Sequence, residues 1–251
     1  MSTEQTEAIV LRMVEFSETS LIVTLYTRDL GRVSAIAKGA RRPKSAFDGA
    51  LDLLAVCRIV VICKTSDSLD LLTEAKLQRR FRAGQRSLVR LHCGYYLAEL
   101  LRLWTDAGVA SPPLYELALR TLAEIDGDQD ALRAILRFEL RGLQILGHFP
   151  ALDECVSCGA AVDPPLVRVP FAYQLGGVLC AACRPRHREV GFVRKALFGL
   201  AKQLAGPDEA DPELAAGDYR DLRATLSRYI QTQLGAVPRT QSLLPTAWVS
   251  H

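Results

Sequence analysis

Four cysteines carry the most specific chemistry in the chain. Cys155-Val156-Ser157-Cys158 and Cys180-Ala181-Ala182-Cys183 form two CxxC pairs with 21 residues between them. Thiolates are soft ligands, and a two-residue spacer lets both sulfurs of a pair reach one ion at about 2.3 Å. Zinc ribbons usually separate their pairs by about 15–20 residues, so this gap lies just outside the common range. Gly159 suits a tight knuckle in which sulfur accepts backbone N–H bonds. A redox CxxC or two disulfides would use the same residues, but neither explains why the two pairs share one inner spacing. The expectation is one structural Zn2+ on Cys155, Cys158, Cys180 and Cys183, with no open coordination position for catalysis. His187 is a possible competing ligand and reads better as a solvated histidine. Cys57, Cys63 and Cys93 fall on strand or helix faces and read as core cysteines.

The second constellation is cationic. Residues 32–44 hold Arg32, Lys38, Arg41, Arg42 and Lys44 and no acidic residue. Lys38-Gly39-Ala40-Arg41-Arg42-Pro43-Lys44 leaves a strand and enters a loop shaped by Gly39 and Pro43, where long cations can reach phosphates. A solvated charge run is the plain alternative. The lack of interleaved acids favours nucleic acid, with Lys38, Arg41, Arg42, Lys44 and Arg32 as the contacting residues. Five such contacts on a single strand predict that log K falls with log salt at a slope of about −3 to −4. A second basic block holds Lys76, Arg79, Arg80, Arg82, Arg86, Arg90 and Arg102 against the single acid Glu99. It either extends the path or lines the exposed side of a helix. The net charge of +3 hides both blocks, because the acids gather elsewhere, notably in residues 208–221.

Other chemistry is missing. The four histidines (His92, His148, His187 and His251) form no HExxH pair, and there is no GxxxxGK[ST] loop or GxSxG elbow. A binding protein is therefore expected rather than an enzyme.

The elements that must position these residues change character near residue 80. Before it, β-branched runs at residues 7–16, 20–27, 31–38, 54–64 and 69–77 read as five strands, with turns at Asp29-Leu30-Gly31 and at Thr65-Ser66-Asp67-Ser68. Five strands in so short a span predict a small closed barrel. Propensity alone leaves an oligonucleotide/oligosaccharide-binding (OB) barrel and an SH3-like barrel both open. After it, apolar residues recur every three or four positions and predict five helices packed as a bundle. The fourth carries Val193, Ala196, Leu197, Leu200, Ala201 and Leu204, and residues 206–217 read as an acidic loop. Between the cysteine pairs, Val167, Val169, Phe171 and Tyr173 alternate and Gly176-Gly177 turns, which predicts a hairpin that brings the pairs together.

At 49% apolar and 24% charged residues, the composition is that of an ordinary globular chain of one or two domains. No apolar run nears the roughly 18 residues of a membrane helix. The polar start Met1-Ser2-Thr3-Glu4-Gln5 does not read as a signal peptide, so a cytoplasmic protein with no membrane partner is expected.

The chain resembles the RecO family of bacterial DNA repair proteins. The resemblance is carried, in family order, by Glu7-Ala8-Ile9-Val10-Leu11, by Leu25-Tyr26-Thr27 with Gly31-Arg32-Val33, and by Ala37-Lys38-Gly39-Ala40-Arg41-Arg42 followed by Pro43-Lys44-Ser45. Further on it rests on Leu71-Leu72-Thr73-Glu74-Ala75, Tyr95-Tyr96-Leu97-Ala98-Glu99-Leu100, Phe138-Glu139-Leu140-Arg141 and the Cys155-Val156-Ser157-Cys158-Gly159 knuckle. It implies an α+β fold: an N-terminal five-stranded OB-fold β-barrel over residues 1–80, then an α-helical domain over 81–251 with an inserted four-cysteine zinc-binding module at about 150–190. It also implies binding of single- and double-stranded DNA, annealing of complementary strands, and work with RecR to load RecA onto strands coated by the single-stranded-DNA-binding protein. Lys38, Arg41, Arg42 and Lys44 match the family's basic loop, and the four cysteines match its zinc ligands. An RNA-binding or ribosome-associated OB and zinc-ribbon protein is the alternative. A metal-dependent nucleic-acid enzyme is a third reading, which a closed four-cysteine shell argues against.

Overall fold

The computed structural model describes residues 2–47, 49–64, 68–162, 167–207 and 212–246. The expected turn at 65–68 and the expected acidic loop at 206–217 lie partly outside them, as does His251. The chain divides into two compact units, Met1–Ala131 and Leu132–His251.

The first unit begins with five strands: β1 (Ser2–Glu15), β2 (Leu21–Thr27), β3 (Gly31–Ala37), β4 (Val56–Cys63) and β5 (Asp70–Arg79). They pair in the order β1-β2-β3-β5-β4, and β1 also pairs with β4. The sheet is mixed. The β3–β5 joint is parallel over Ala35–Ala37 and Asp70–Leu72, and the other ladders are antiparallel. Side chains alternate along β3, so Val33, Ala35 and Ala37 turn inward onto Val23, Leu25, Ile59 and Leu72. Two helices complete the unit, α1 (Leu88–Trp104) and α2 (Pro112–Asp126). The sheet is tied to the segment between them: Tyr26 Oη donates to Ser111 O at 3.1 Å, and the Arg32 backbone N–H donates to Asp106 O at 3.1 Å.

The second unit holds nearly all of α3 (Ala131–Ile145), then β6 (Arg168–Ala172), β7 (Gly177–Val178), β8 (Val190–Arg194), α4 (Ala196–Ala205) and α5 (Ala216–Leu234). Its three strands form a sheet of order β7-β6-β8. Glu139 on α3 is fully buried and ion-paired with Arg223 on α5. A buried charge needs such a partner, and here the pair joins the two helices.

The expected fold class, an N-terminal five-stranded OB-fold β-barrel followed by an α-helical domain with an inserted four-cysteine zinc-binding module, is corrected. The first unit is a mixed β-sheet domain that includes α1 and α2. The second contains a sheet of its own beside its helices. The physical reason lies in β8. Val193, expected on a helix, sits in Val190-Gly191-Phe192-Val193-Arg194, a β-branched and aromatic run that pairs with β6 over five residue pairs, from Arg168↔Arg194 to Ala172↔Val190. The helix starts only at Ala196.

Candidate nucleic-acid interface and metal centre

The basic loop follows directly from the end of β3. Ala37 is the last paired residue, opposite Leu21. Lys38, Arg41, Arg42 and Lys44 are all exposed. Gly39 takes φ 73°, a left-handed conformation that favours glycine, and the Arg42 N–H closes the turn on Gly39 O at 3.0 Å. The Arg41 backbone N–H donates to Thr19 O at 3.0 Å, which ties the loop to the β1–β2 connection. Its guanidinium pairs with Glu15 Oε2 at 3.0 Å, and both side chains remain open to solvent. Lys38, Arg42 and Lys44 have no ion pair or side-chain hydrogen bond among the described residues. Such cations can meet a polyanion without first breaking a buried contact.

Arg32 is not brought into this loop. It is half-buried on β3, and its Nε donates to Thr105 O at 2.9 Å. Four cations of the second basic block are also engaged, whereas the side chains of Lys76, Arg82 and Arg102 have no ion pair or hydrogen bond among the described residues. Arg79 and Arg80 donate to the Leu119 and Gly49 carbonyls at 3.2 and 3.0 Å. Arg86 donates to Asp126 O and Gly127 O, both at 2.8 Å, and pairs with Asp128. Arg90 donates to Ile125 O, Gly127 O and Gln129 O at 2.7–2.9 Å. Those carbonyls lie at and just past the C-terminus of α2, where the helix leaves acceptors without partners and where its dipole favours a cation. Arg86 and Arg90 therefore serve as a C-terminal cap for α2.

The metal centre lies in the second unit. The β6–β7 hairpin pairs Phe171 with Val178 and Ala172 with Gly177, which delivers Cys180 to the first knuckle. The Val156 N–H donates to Val178 O at 3.0 Å and locks the two segments together. Gly159 takes φ 73°, and its N–H turns back onto Cys155 O at 2.8 Å. The Sγ atoms of Cys155, Cys158, Cys180 and Cys183 all lie within 4.8 Å of one another. Metal–sulfur bonds of about 2.3 Å in a tetrahedron place the sulfurs about 3.8 Å apart. The Cys158–Cys180 separation is 3.8 Å, so the donor set fits one thiophilic ion and is far too wide for an S–S bond there.

The thiols do not share one acidity. Burial pushes the Cys155 thiol up, but backbone N–H groups of Cys180, Ser157 and Cys158 outweigh it and bring it to about 6. At Cys158, the Ala160 N–H pulls down, but the neighbouring sulfurs of Cys183, Cys155 and Cys180 together push it up to about 11. Crowded sulfurs resist becoming four anions, and a cation at their centre removes that cost. His187 Nε2 lies 3.3 Å from Ser157 Oγ rather than among the sulfurs. Of the other cysteines, Cys57 and Cys93 are buried and Cys63 is partly buried. Cys57 Sγ donates to Ala50 O, and burial raises its pKa to about 11.

The partner missed in the sequence is Glu15. Nothing in its local pattern signals that a hairpin will set it against Arg41. No described helix is long and apolar enough to cross a membrane.

Comparison with known proteins gives two family models in chain order. Recombination protein O N terminal matches residues 1–81, and Recombination protein O C terminal matches residues 85–242. Neither description names a catalytic activity. The "DNA repair protein RecO" of Rhodopirellula baltica is 43% identical over 263 residues, covering 95% of this chain and 97% of that protein. The protein of the same description from Anaeromyxobacter sp. (strain K) is 33% identical over 230 residues, covering 90% of each. That of Desulforudis audaxviator is 36% identical over 204 residues, covering 81% and 80%. Because both halves match in order and relatives align over nearly the full length, the chain belongs to the RecO family of DNA repair proteins.

Proposed function

We propose that the protein is a non-catalytic recombination mediator. In this reading it binds single- and double-stranded DNA through Lys38, Arg41, Arg42 and Lys44, while Arg32, held on Thr105 O, makes no phosphate contact. It anneals complementary strands, and with RecR it helps load RecA onto strands coated by the single-stranded-DNA-binding protein. Residues 1–80 act as the nucleic-acid module. The observation that carries the reading is the loop itself: four exposed cations, three of them without a partner among the described residues. Cations on such a surface screen the repulsion between two phosphate backbones, so strands can meet. Base pairing then supplies the specificity, and little sequence readout is needed from the protein.

The ion at the four cysteines is proposed to be one Zn2+ with a structural role. When bound, it cross-links the two knuckles and leaves no coordination position for a reactant. The chain's own part is to aim four sulfurs, which the β6–β7 hairpin and the Gly159 turn do.

The test is annealing of complementary oligonucleotides, with and without the coating protein, alongside metal analysis. The expected result is accelerated annealing by the native chain, its loss in Arg41→Glu/Arg42→Glu, and about one zinc per chain. Tighter binding to single-stranded RNA than to DNA, with no annealing, would favour a ribosome-associated role instead.

A further inference from the structure

The end of the sheet beside the basic loop carries an unexplained apolar surface. Phe16, the residue after β1, is 60% exposed, and Val14 is 40% exposed. On a pleated strand Val14 and Phe16 share one face. By register Val14 lies opposite Ile22, and Ile22 opposite Ile36. Ile22 and Ile36 are only partly buried, while their neighbours Val23, Ala35 and Ala37 fill the core, so this strip lies on the outer side. Two residues beyond Ile36 on the same alternation is Lys38, and two before Val14 is the exposed Arg12. An apolar shelf thus lies between cations.

The backbone beneath the aromatic is also held. The Phe16 N–H donates to Ser20 O at 3.0 Å, and the Ser20 N–H donates to Ser17 Oγ at 3.2 Å, which closes the hairpin tip. The adjacent Glu15 pairs with Arg41, and Thr19 O accepts the Arg41 N–H. Phe16 and the basic loop are therefore fixed to one tip. A ring facing water beside phosphate-binding cations has the chemistry of a base-stacking platform, because every nucleobase presents a π-face.

We propose that Phe16 is a stacking residue for an unpaired nucleobase, with the Val14–Ile22–Ile36 strip as its floor and Lys38 and Arg42 gripping the flanking phosphates. The proposal rests on reading the loop as a nucleic-acid interface. It deepens that reading, because stacking makes the site prefer single strands over duplex, whose bases are already stacked.

The test compares the full chain with Phe16→Ala, Phe16→Leu and Phe16→Trp. The probes are a thymidine homopolymer of about 20 nucleotides, an abasic strand of equal length and a duplex. Phe16→Ala should lose at least about fivefold in affinity for the homopolymer. Phe16→Leu should lose nearly as much, and Phe16→Trp should bind as well as the native chain. On the abasic strand and the duplex the four proteins should be indistinguishable, and the salt slope should be unchanged, since a phenyl ring releases no counterions. An equal loss on the abasic strand, or no loss on the homopolymer while Arg42→Glu still weakens binding, would overturn the stacking role alone. No effect of Arg42→Glu on any strand would overturn the underlying interface.

Discussion

Residues 38–44 and residues 79–90 are both strings of cations in the same unit, and the structure uses them in opposite ways. In the first, Lys38, Arg42 and Lys44 point from a loop with no partner among the described residues, and Arg41 meets only the exposed Glu15. In the second, Arg86 and Arg90 close on carbonyls at the end of α2, Arg79 and Arg80 each hold a backbone oxygen, and Arg82 alone has no side-chain partner among the described residues. The difference is one of what desolvation has already been spent on. A guanidinium that satisfies helix-terminal carbonyls contributes to folding and would have to leave them to bind a phosphate. A guanidinium in water has no such commitment. Charge density along a sequence does not tell the two apart, whereas the acceptor within reach does.

Changing the charge of each string is the sharpest way to break this contrast. Arg41→Glu/Arg42→Glu should weaken single-stranded DNA binding by about a hundredfold at low salt and lower the melting temperature by no more than about 4 °C, since only the exposed Arg41–Glu15 pair is lost. A melting temperature that fell while affinity held would invert the assignment. The mirror experiment is Arg90→Ala. It removes the guanidinium donor from Ile125 O and Gln129 O, while Gly127 O keeps Arg86, and it should cost about 1–2 kcal/mol of stability, read by denaturant unfolding, with DNA affinity changed less than about twofold.

Subtler measurements separate the strings further. Arg42→Ala should make the slope of log K against log salt shallower by about 0.7, the share of one phosphate contact on a single strand. Arg86→Ala should leave that slope where it was. The smallest effect belongs to Glu15→Gln. It frees Arg41 from an exposed ion pair worth at most about 1 kcal/mol, so affinity should rise by no more than about fivefold. A fall would mean that Glu15 positions Arg41 rather than competing for it.

Much of this arrangement is legible in the residues. The β-branched runs mark the five strands of the first unit, because half-buried pleated surface favours those side chains. The CxxC spacing marks the thiolate cluster, since few other chemistries need four sulfurs at such offsets. The loop cations are legible through the acids that are missing around them. What is not legible depends on distant partners. Arg90 reads as a free surface charge until the last turn of α2 presents the carbonyl of Ile125, 35 residues later. Glu15 reads as solvated until the chain returns with Arg41. Val193 fits an apolar helical stripe as well as it fits a strand, and only β6 pairing across the cysteine segment decides for β8. The fold class failed at the same point: local periodicity does not report that α1 and α2 belong with the first sheet, or that the second unit has a sheet of its own.

The most direct measurement is the affinity of the native chain for single-stranded DNA across a salt titration. With Lys38, Arg41, Arg42 and Lys44 meeting phosphates and Arg32 held by Thr105, log K should fall against log salt with a slope close to about −3. A flat dependence would contradict the account, because exposed cations that release no counterions are not gripping a strand.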